Sequence, residues 1–168
     1  MAPAQGDELG AGAEALGAKL EDAYPGLVAA VAAYTRSVPV AEDIAQDAIL
    51  SAWERRSRLG DADVRRWVFR VAINRSRSWH RRALVELRHL PDLIDLPSAR
   101  VPSEDGVVVR AALRTLPARQ RLALVLRFYG DFSVDEAAEL MGCAPGTVKA
   151  LTSQGLSSLR SRLWKDDG

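Results

Sequence analysis

The residues of this chain best suited to chemistry are its charges, and they are sorted by sign. Residues 42–54 hold four acids, Glu42, Asp43, Asp47 and Glu54, and no base. Residues 65–82 hold seven arginines, Arg65, Arg66, Arg70, Arg75, Arg77, Arg81 and Arg82, and no acid. Asn74, Trp67, Trp79 and His80 are interleaved with them. A guanidinium is a permanent cation whose planar fork of donors matches a phosphate. Arginines among aromatic residues and Asn are the composition that grips a nucleic-acid backbone while stacking or capturing bases. The plainer reading is a solvated basic face with Trp67 in the core. For Trp67 alone burial is the expectation, but the absence of any acid from the run favours a phosphate-facing surface. In the acidic segment Asp43, Gln46 and Asp47 stand three and four residues apart, which places them on nearly one helix face.

A third constellation occupies residues 133–163. Ser133 and Glu136 form a capping-box signature for a short helix with apolar Val134, Ala137, Ala138 and Met141. Gly142, Cys143 and Ala144 make a tight turn, and Pro145 opens a longer helix. This is the layout of a helix-turn-helix, in which the second helix enters the major groove. Val148, Thr152, Leu156 and Leu159 form its inward stripe, leaving Thr147, Lys149, Ala150, Ser153 and Gln154 on or near the outer face. Thr147 and Lys149 suit phosphates, and Ser153 and Gln154 suit base edges. A plain helical hairpin in an all-α core has the same pattern, so this segment does not decide the matter alone. Catalysis finds little support. His80 and His89 have no carboxylate or nucleophile at useful spacing, there is no Gly-rich phosphate loop, and the single cysteine, Cys143, excludes an intramolecular disulfide or a Cys-rich zinc site. No cofactor or metal is expected.

The elements that must position these residues are helices. Strand formers are sparse, and Val and Ile sit within Ala-, Leu- and Arg-rich stretches. The formal net charge of +1 excludes nothing, because the sorting of charge rather than its sum carries the signal. Residues 1–19, rich in Gly and Ala, read as a disordered or weakly helical tail. A first helix begins at Leu20, with Leu27, Val28, Val31 and Tyr34 as its stripe and Pro25 in its first turn. A second spans 40–58, with Ile44, Ala48, Trp53 and either Ala45 or Ile49 inward. A third spans 62–87, with Val64, Trp67, Val68, Val71 and Ile73 inward. Pro91, Pro97 and Pro102 mark residues 88–105 as a linker. Residues 107–116 form another helix, Pro117 starts the next, and Gly130 ends it. The expected fold class is all-α: two small helical domains, 20–87 and 106–164, joined by a flexible linker and followed by a short tail, 165–168. No apolar run is long enough to span a membrane and no secretory signal pattern opens the chain, so a cytoplasmic protein without membrane insertion is expected.

Taken in order, these segments resemble the extracytoplasmic-function (group 4) RNA polymerase sigma factors, in particular the sigma-E-like branch found in actinobacteria. Residues 40–54 are similar to the family's region 2.2, residues 66–75 to regions 2.3 and 2.4, and residues 116–121 and 146–149 to region 4. Each motif is weak, but the ordered set is specific. The resemblance implies a non-enzymatic transcription initiation factor. Its Glu42, Asp43, Gln46 and Asp47 would dock on the β′ clamp helices of core polymerase, with a further contact to the β flap. Leu59, Gly60 and Asp61 would wall a pocket for a base flipped from the melted non-template strand. Asn74 and the seven arginines would hold that strand at the −10 element. Arg119, Thr147, Lys149, Ala150, Ser153 and Gln154 would face the double-stranded −35 element. An anti-sigma factor is a further partner that the family suggests. Two departures from the family pattern stand out: Ala150 and Leu151 replace polar or basic residues, and Gln154 stands where Arg is common. Lys149 is left as the only cation in the first half of the recognition helix, so phosphate contacts there are few. Two other readings use the same segments: a dimeric helix-turn-helix regulator, which leaves the acidic helix and the arginine run unemployed, and a polymerase-binding decoy that no longer reads promoters.

Overall fold

The structure, a computed structural model, describes residues 5–59, 64–86 and 111–163. Its helices are α1 (Gln5–Thr35), α2 (Val38–Glu54), α3 (Val64–Glu86), α4 (Ala118–Leu124, continued by a π-helical turn Val125–Tyr129), α5 (Val134–Met141) and α6 (Pro145–Leu163). Residues 111–114 add one helical turn, and no strand occurs among the described residues. The all-α expectation holds. The expected linker, 88–105, lies outside the described residues.

Helix α1 extends well before Leu20, so the stretch read as a tail is largely helical. Gly10, Gly12 and Gly17 hid the pattern; a Cβ on any of them would meet open space, so they weaken the helix without serving packing. Pro25 lies inside α1 rather than in its first turn, where it removes one backbone donor. The centre of α1 is Leu27, Val28, Ala29, Ala30, Val31, Ala32 and Ala33, all buried. Consecutive burial over more than a full turn means that the helix is covered on every side. It contacts α2, α3, α4 and the π turn.

Helix α2 starts where Ser37 caps it, its Oγ accepting from the Val40 N–H at 3.4 Å, with Pro39 in the first turn. Ala41, Ile44, Ala45, Ala48 and Ala52 face inward. Trp53, expected in the core, is 38% exposed. The alanines bring α2 close to its neighbours and leave no space for an indole on that side. In α3 the buried residues are Val64, Val68, Phe69, Ala72, Ile73 and Ser76, and the Ser76 hydroxyl is satisfied by the Ala72 carbonyl at 2.7 Å. Trp67 and Val71 are only half-buried. Phe69, which the sequence reading passed over, carries the joint to the second helical block. Its ring meets Phe132 edge-on at 4.8 Å, and Gly26 of α1 lies beside both Phe69 and Tyr129. The buried residues of both blocks form one continuous core.

In the second block Arg121 is wholly buried and donates to the Leu116 carbonyl at 2.9 Å. The π turn closes with the Gly130 N–H on the Val125 carbonyl at 2.7 Å. The extra residue in that turn shifts the register, and Phe128 and Tyr129 are left 64% and 44% exposed. The capping box of α5 is complete. Glu136 N–H donates to Ser133 Oγ at 3.2 Å, and Ser133 N–H donates to the Glu136 carboxylate at 2.7 Å. Gly142 ends α5 in the left-handed region, φ 61°, which a glycine adopts without steric cost. In α6 Val148 is buried as expected, but Leu156 is 38% exposed. Gly155 takes the inward position instead. A Cβ there would stand 2.9 Å from Leu124 Cδ1 and 3.2 Å from its Cγ, so α6 rests on α4 by virtue of a missing side chain.

Two expectations follow from the packing of this block. Leu124 is only 4% exposed, so Gly155→Val overpacks the α4–α6 contact. It should lower unfolding free energy by about 1–3 kcal/mol in a denaturant titration; an unchanged midpoint would contradict the close approach. The Ser133 backbone N–H, then its hydroxyl, with smaller help from Arg66 and Arg65, hold the Glu136 carboxyl below the ordinary glutamate range. Because the folded value is depressed, the stabilisation is present above the unfolded value and is lost as pH falls through the folded one. Glu136→Gln should therefore flatten the acid limb of a stability-versus-pH curve below that range, and leave its shape above neutrality alone.

Candidate nucleic-acid interface

The solvent face of α2 carries Glu42, Asp43, Gln46 and Asp47, all exposed, as the spacing predicts. Core alanines on the opposite side fix this face outward. Asp47 is engaged by Arg75 of α3, Nη1 to Oδ2 at 2.7 Å, while Arg75 Nη2 reaches Ser51 Oγ at 3.1 Å. The same face holds two residues that charge reasoning missed. Leu50 is 59% exposed and Trp53 38%. With Ile49, Gln46 and Leu20, Glu21 and Tyr24 of α1 they line a shallow groove. The surface is thus an acidic edge beside an apolar strip. The signal for Leu50 lay in its position, four residues after Gln46 and three after Asp47.

Along α3 the residues Arg66, Arg70, Asn74, Arg77 and Arg81 recur at spacings of three and four, and so share a stripe. Arg75 lies off it, facing α2. Asn74, Arg81 and Arg82 are exposed; Arg81 donates to Ser78 Oγ at 3.1 Å and Arg82 to the Ser78 carbonyl at 3.3 Å. The start of the stripe faces the second block. Arg66 and Arg70 both pair with Glu139 of α5, the latter at 3.1 Å. Arg77 donates to the Leu140 carbonyl at 3.2 Å. Arg65 donates to the Gly130 carbonyl and lies over the Phe132 ring, 4.7 Å from its centroid. Leu59 is half-buried against the core; Gly60 and Asp61 lie outside the described residues.

On the second block, the helix-turn-helix pair is α5 and α6. Lys149, Ala150, Ser153 and Gln154 are exposed on α6, Thr147 is half-buried at its start, and Arg119 is exposed on α4. Gln154 Oε1 accepts from Gln120 Nε2 of α4 at 3.3 Å, so the residue best suited to a base edge is oriented by the neighbouring helix. The outer face of α6 is polar, with Lys149 its single cation before Arg160. Cys143, in the turn, is half-buried and packs against the core. Among the described residues no group of His, Cys, Asp or Glu is placed to hold a metal ion, and no helix is long and apolar enough to cross a membrane.

Comparison with known proteins agrees with this layout. Residues 20–84 match the family model for sigma-70 region 2, and residues 107–159 match that for sigma-70 region 4. The chain is 31% identical over 127 residues to the ECF RNA polymerase sigma factor SigM of Mycobacterium tuberculosis, covering 74% of this chain and 65% of that protein. It is 30% identical over 152 residues to EcfG of Rhodopseudomonas palustris, covering 86% and 82%. A solved structure of the sigma factor RpoE from Bartonella quintana, in complex with the anti-sigma factor NepR, superposes with a TM-score of 0.69 at 27% identity, covering 86% of this chain and 94% of that one. The acidic helix, the arginine stripe and the helix-turn-helix thus occur together because the chain belongs to the extracytoplasmic-function RNA polymerase sigma factors.

Proposed function

We propose that the protein is a promoter-recognition factor that binds core RNA polymerase, directs it to −35 and −10 elements and assists melting at the latter, without catalysing a reaction itself. The observation that carries this reading is the coexistence, on one continuous core, of an outward acidic and apolar face on α2, a cationic stripe on α3 and a helix-turn-helix in α5–α6. A dimeric helix-turn-helix regulator would use only the last. In this proposal the first unit spans 20–87 and the second 106–164. Glu42, Asp43, Gln46 and Asp47 meet a basic helix of the polymerase β′ subunit, with Leu50 and Trp53 covered on docking, and the second block meets the β flap. Asn74 and the α3 arginines other than Arg75 hold the melted non-template strand, beside a pocket walled by Leu59, Gly60 and Asp61. Arg119, Thr147 and Lys149 hold phosphates of the −35 duplex, and Ser153 and Gln154 face its base edges. An anti-sigma partner is proposed from the RpoE relative, which was solved with one. A cytoplasmic site of action follows from this role.

The decisive experiment is transcription in vitro with purified bacterial core polymerase on a fragmented genomic library. Discrete new start sites sharing spaced −35 and −10 elements are expected. Core binding without new starts would instead indicate a decoy, and neither would indicate an independent regulator. Asp43 is exposed and can be reversed without disturbing the Asp47–Arg75 pair. Asp43→Lys should weaken core binding by about tenfold with an unchanged unfolding transition; unchanged affinity would displace the docking face from α2. Lys149→Ala should lower transcription from −35-dependent promoters and reduce the salt slope of DNA binding by about one. An equal loss on promoters lacking a −35 element would show that α6 is misplaced.

A further inference from the structure

From Pro145 to Leu159 helix α6 carries a single charge, Lys149, so it has little with which to read a base by charge. Guanine shows two acceptors, O6 and N7, to the major groove and is matched by Arg or Lys. Adenine shows an N6 donor beside the N7 acceptor and is matched by a side-chain amide. Gln154 is the only such amide on α6, and it is exposed on a face with Ala150 and Ser153.

This amide is held from outside its own helix. Gln120 Nε2 donates to Gln154 Oε1 at 3.3 Å. The two side chains meet because α4 and α6 approach at Gly155, where a Cβ would stand 3.6 Å from Gln120 Cβ. Accepting this bond leaves Gln154 Oε1 a second lone pair and uses neither Nε2 hydrogen. The order of donor and acceptor is set at the far end of the pair. Gln120 Oε1 is buried with no hydrogen-bond partner among the described residues. Turning the Gln120 amide over would bury an NH2 there, with two unmet donors in place of one acceptor, which costs more. Gln154 cannot turn over alone, because its own NH2 would then face the donor of Gln120.

We infer that Gln154 reads one adenine of the −35 element, its Oε1 accepting from N6 and its Nε2 donating to N7, and that Gln120 is the positioning residue that fixes this order. The inference rests on the reading of α6 as the −35 recognition helix and assigns that helix a base. Guanine in the same place would set O6 against Oε1, acceptor against acceptor.

The test uses the full chain bound to core polymerase and a randomised duplex library from which the retained sequences are read. Wild type should retain duplexes that share one position where adenine is preferred to guanine, about five- to a hundredfold. Gln154→Ala should level that position. Gln154→Arg should turn it to guanine, because a guanidinium donates to both O6 and N7. Gln120→Met has the same length but no donor, and should shrink the preference about two- to tenfold. A ratio between two bases is not moved by a loss of folded protein. Replacing the preferred adenine by 7-deazaadenine removes N7 and keeps the base pair. It should weaken retention by wild type about two- to tenfold and leave Gln154→Ala unaffected. A preference that survives Gln154→Ala, or a deaza effect equal in both proteins, would overturn the base contact in favour of DNA shape. Full preference in Gln120→Met would overturn the positioning role. Transcription starts are measured on the same duplexes. Starts without a Gln154-dependent position would sink the inference and leave the proposed function standing. A Gln154-dependent adenine without starts would do the reverse, and the absence of both would overturn both.

Discussion

A guanidinium cannot shed its charge, and seven of them on one helix with no acid among them must each be hydrated, paired or bonded to carbonyl oxygen. Much of this architecture follows from that constraint. Arg75 is satisfied by Asp47 and Ser51 of α2, which ties the acidic helix to the basic one. Arg81 and Arg82 bond to Ser78 on their own helix and otherwise face water. Arg65, Arg66, Arg70 and Arg77 draw on a carboxylate and two carbonyls of the second helical block. The helix therefore acts as a charge distributor among α2, its own turns and the second block.

Apolar packing complements this electrostatic frame. Small residues do most of the close work. Alanines along α1 and α2 let those helices approach, and Gly155 lets α6 rest on α4. Two phenylalanines, Phe69 and Phe132, meet where the blocks join. The result leaves several large apolar residues outside, Leu50 and Trp53 on α2 and Phe128 and Tyr129 on the π turn. Exposed apolar groups beside charged ones are the composition of a protein contact surface, and those on α2 lie on the face proposed to dock on polymerase.

Much of this was legible in the sequence because it is local. The capping box at Ser133 and Glu136, the Gly142 turn and the acidic face of α2 depend on residues a few positions apart, and the structure bears them out. What was hidden depends on neighbours distant in the chain. Trp53 sits on a face that would be apolar by periodicity, and only the alanine contacts of α2 turn it out. Leu156 gave way to Gly155 because α4 comes too close for a side chain at that point. Phe69 looked like one more apolar residue in a basic run until Phe132 was found against it. Glu139 likewise carried no signal of its own, since its partners lie about seventy positions earlier. The helical start of α1 was obscured by glycines that cost helix propensity but block nothing.

The enclosure of α1 has a consequence for synthesis. Residues 29–33 leave the ribosome before α4 and the π turn, which supply part of the surface around α1 and follow roughly 5–20 s later at ordinary translation rates. During that interval a nascent chain exposes whatever α1 has reserved for them. Four of those five residues are alanine, which offers far less apolar area to a passing chaperone or another nascent chain than leucine or phenylalanine would. An alanine-rich centre thus allows the helix to wait for its last neighbours with little tendency to aggregate.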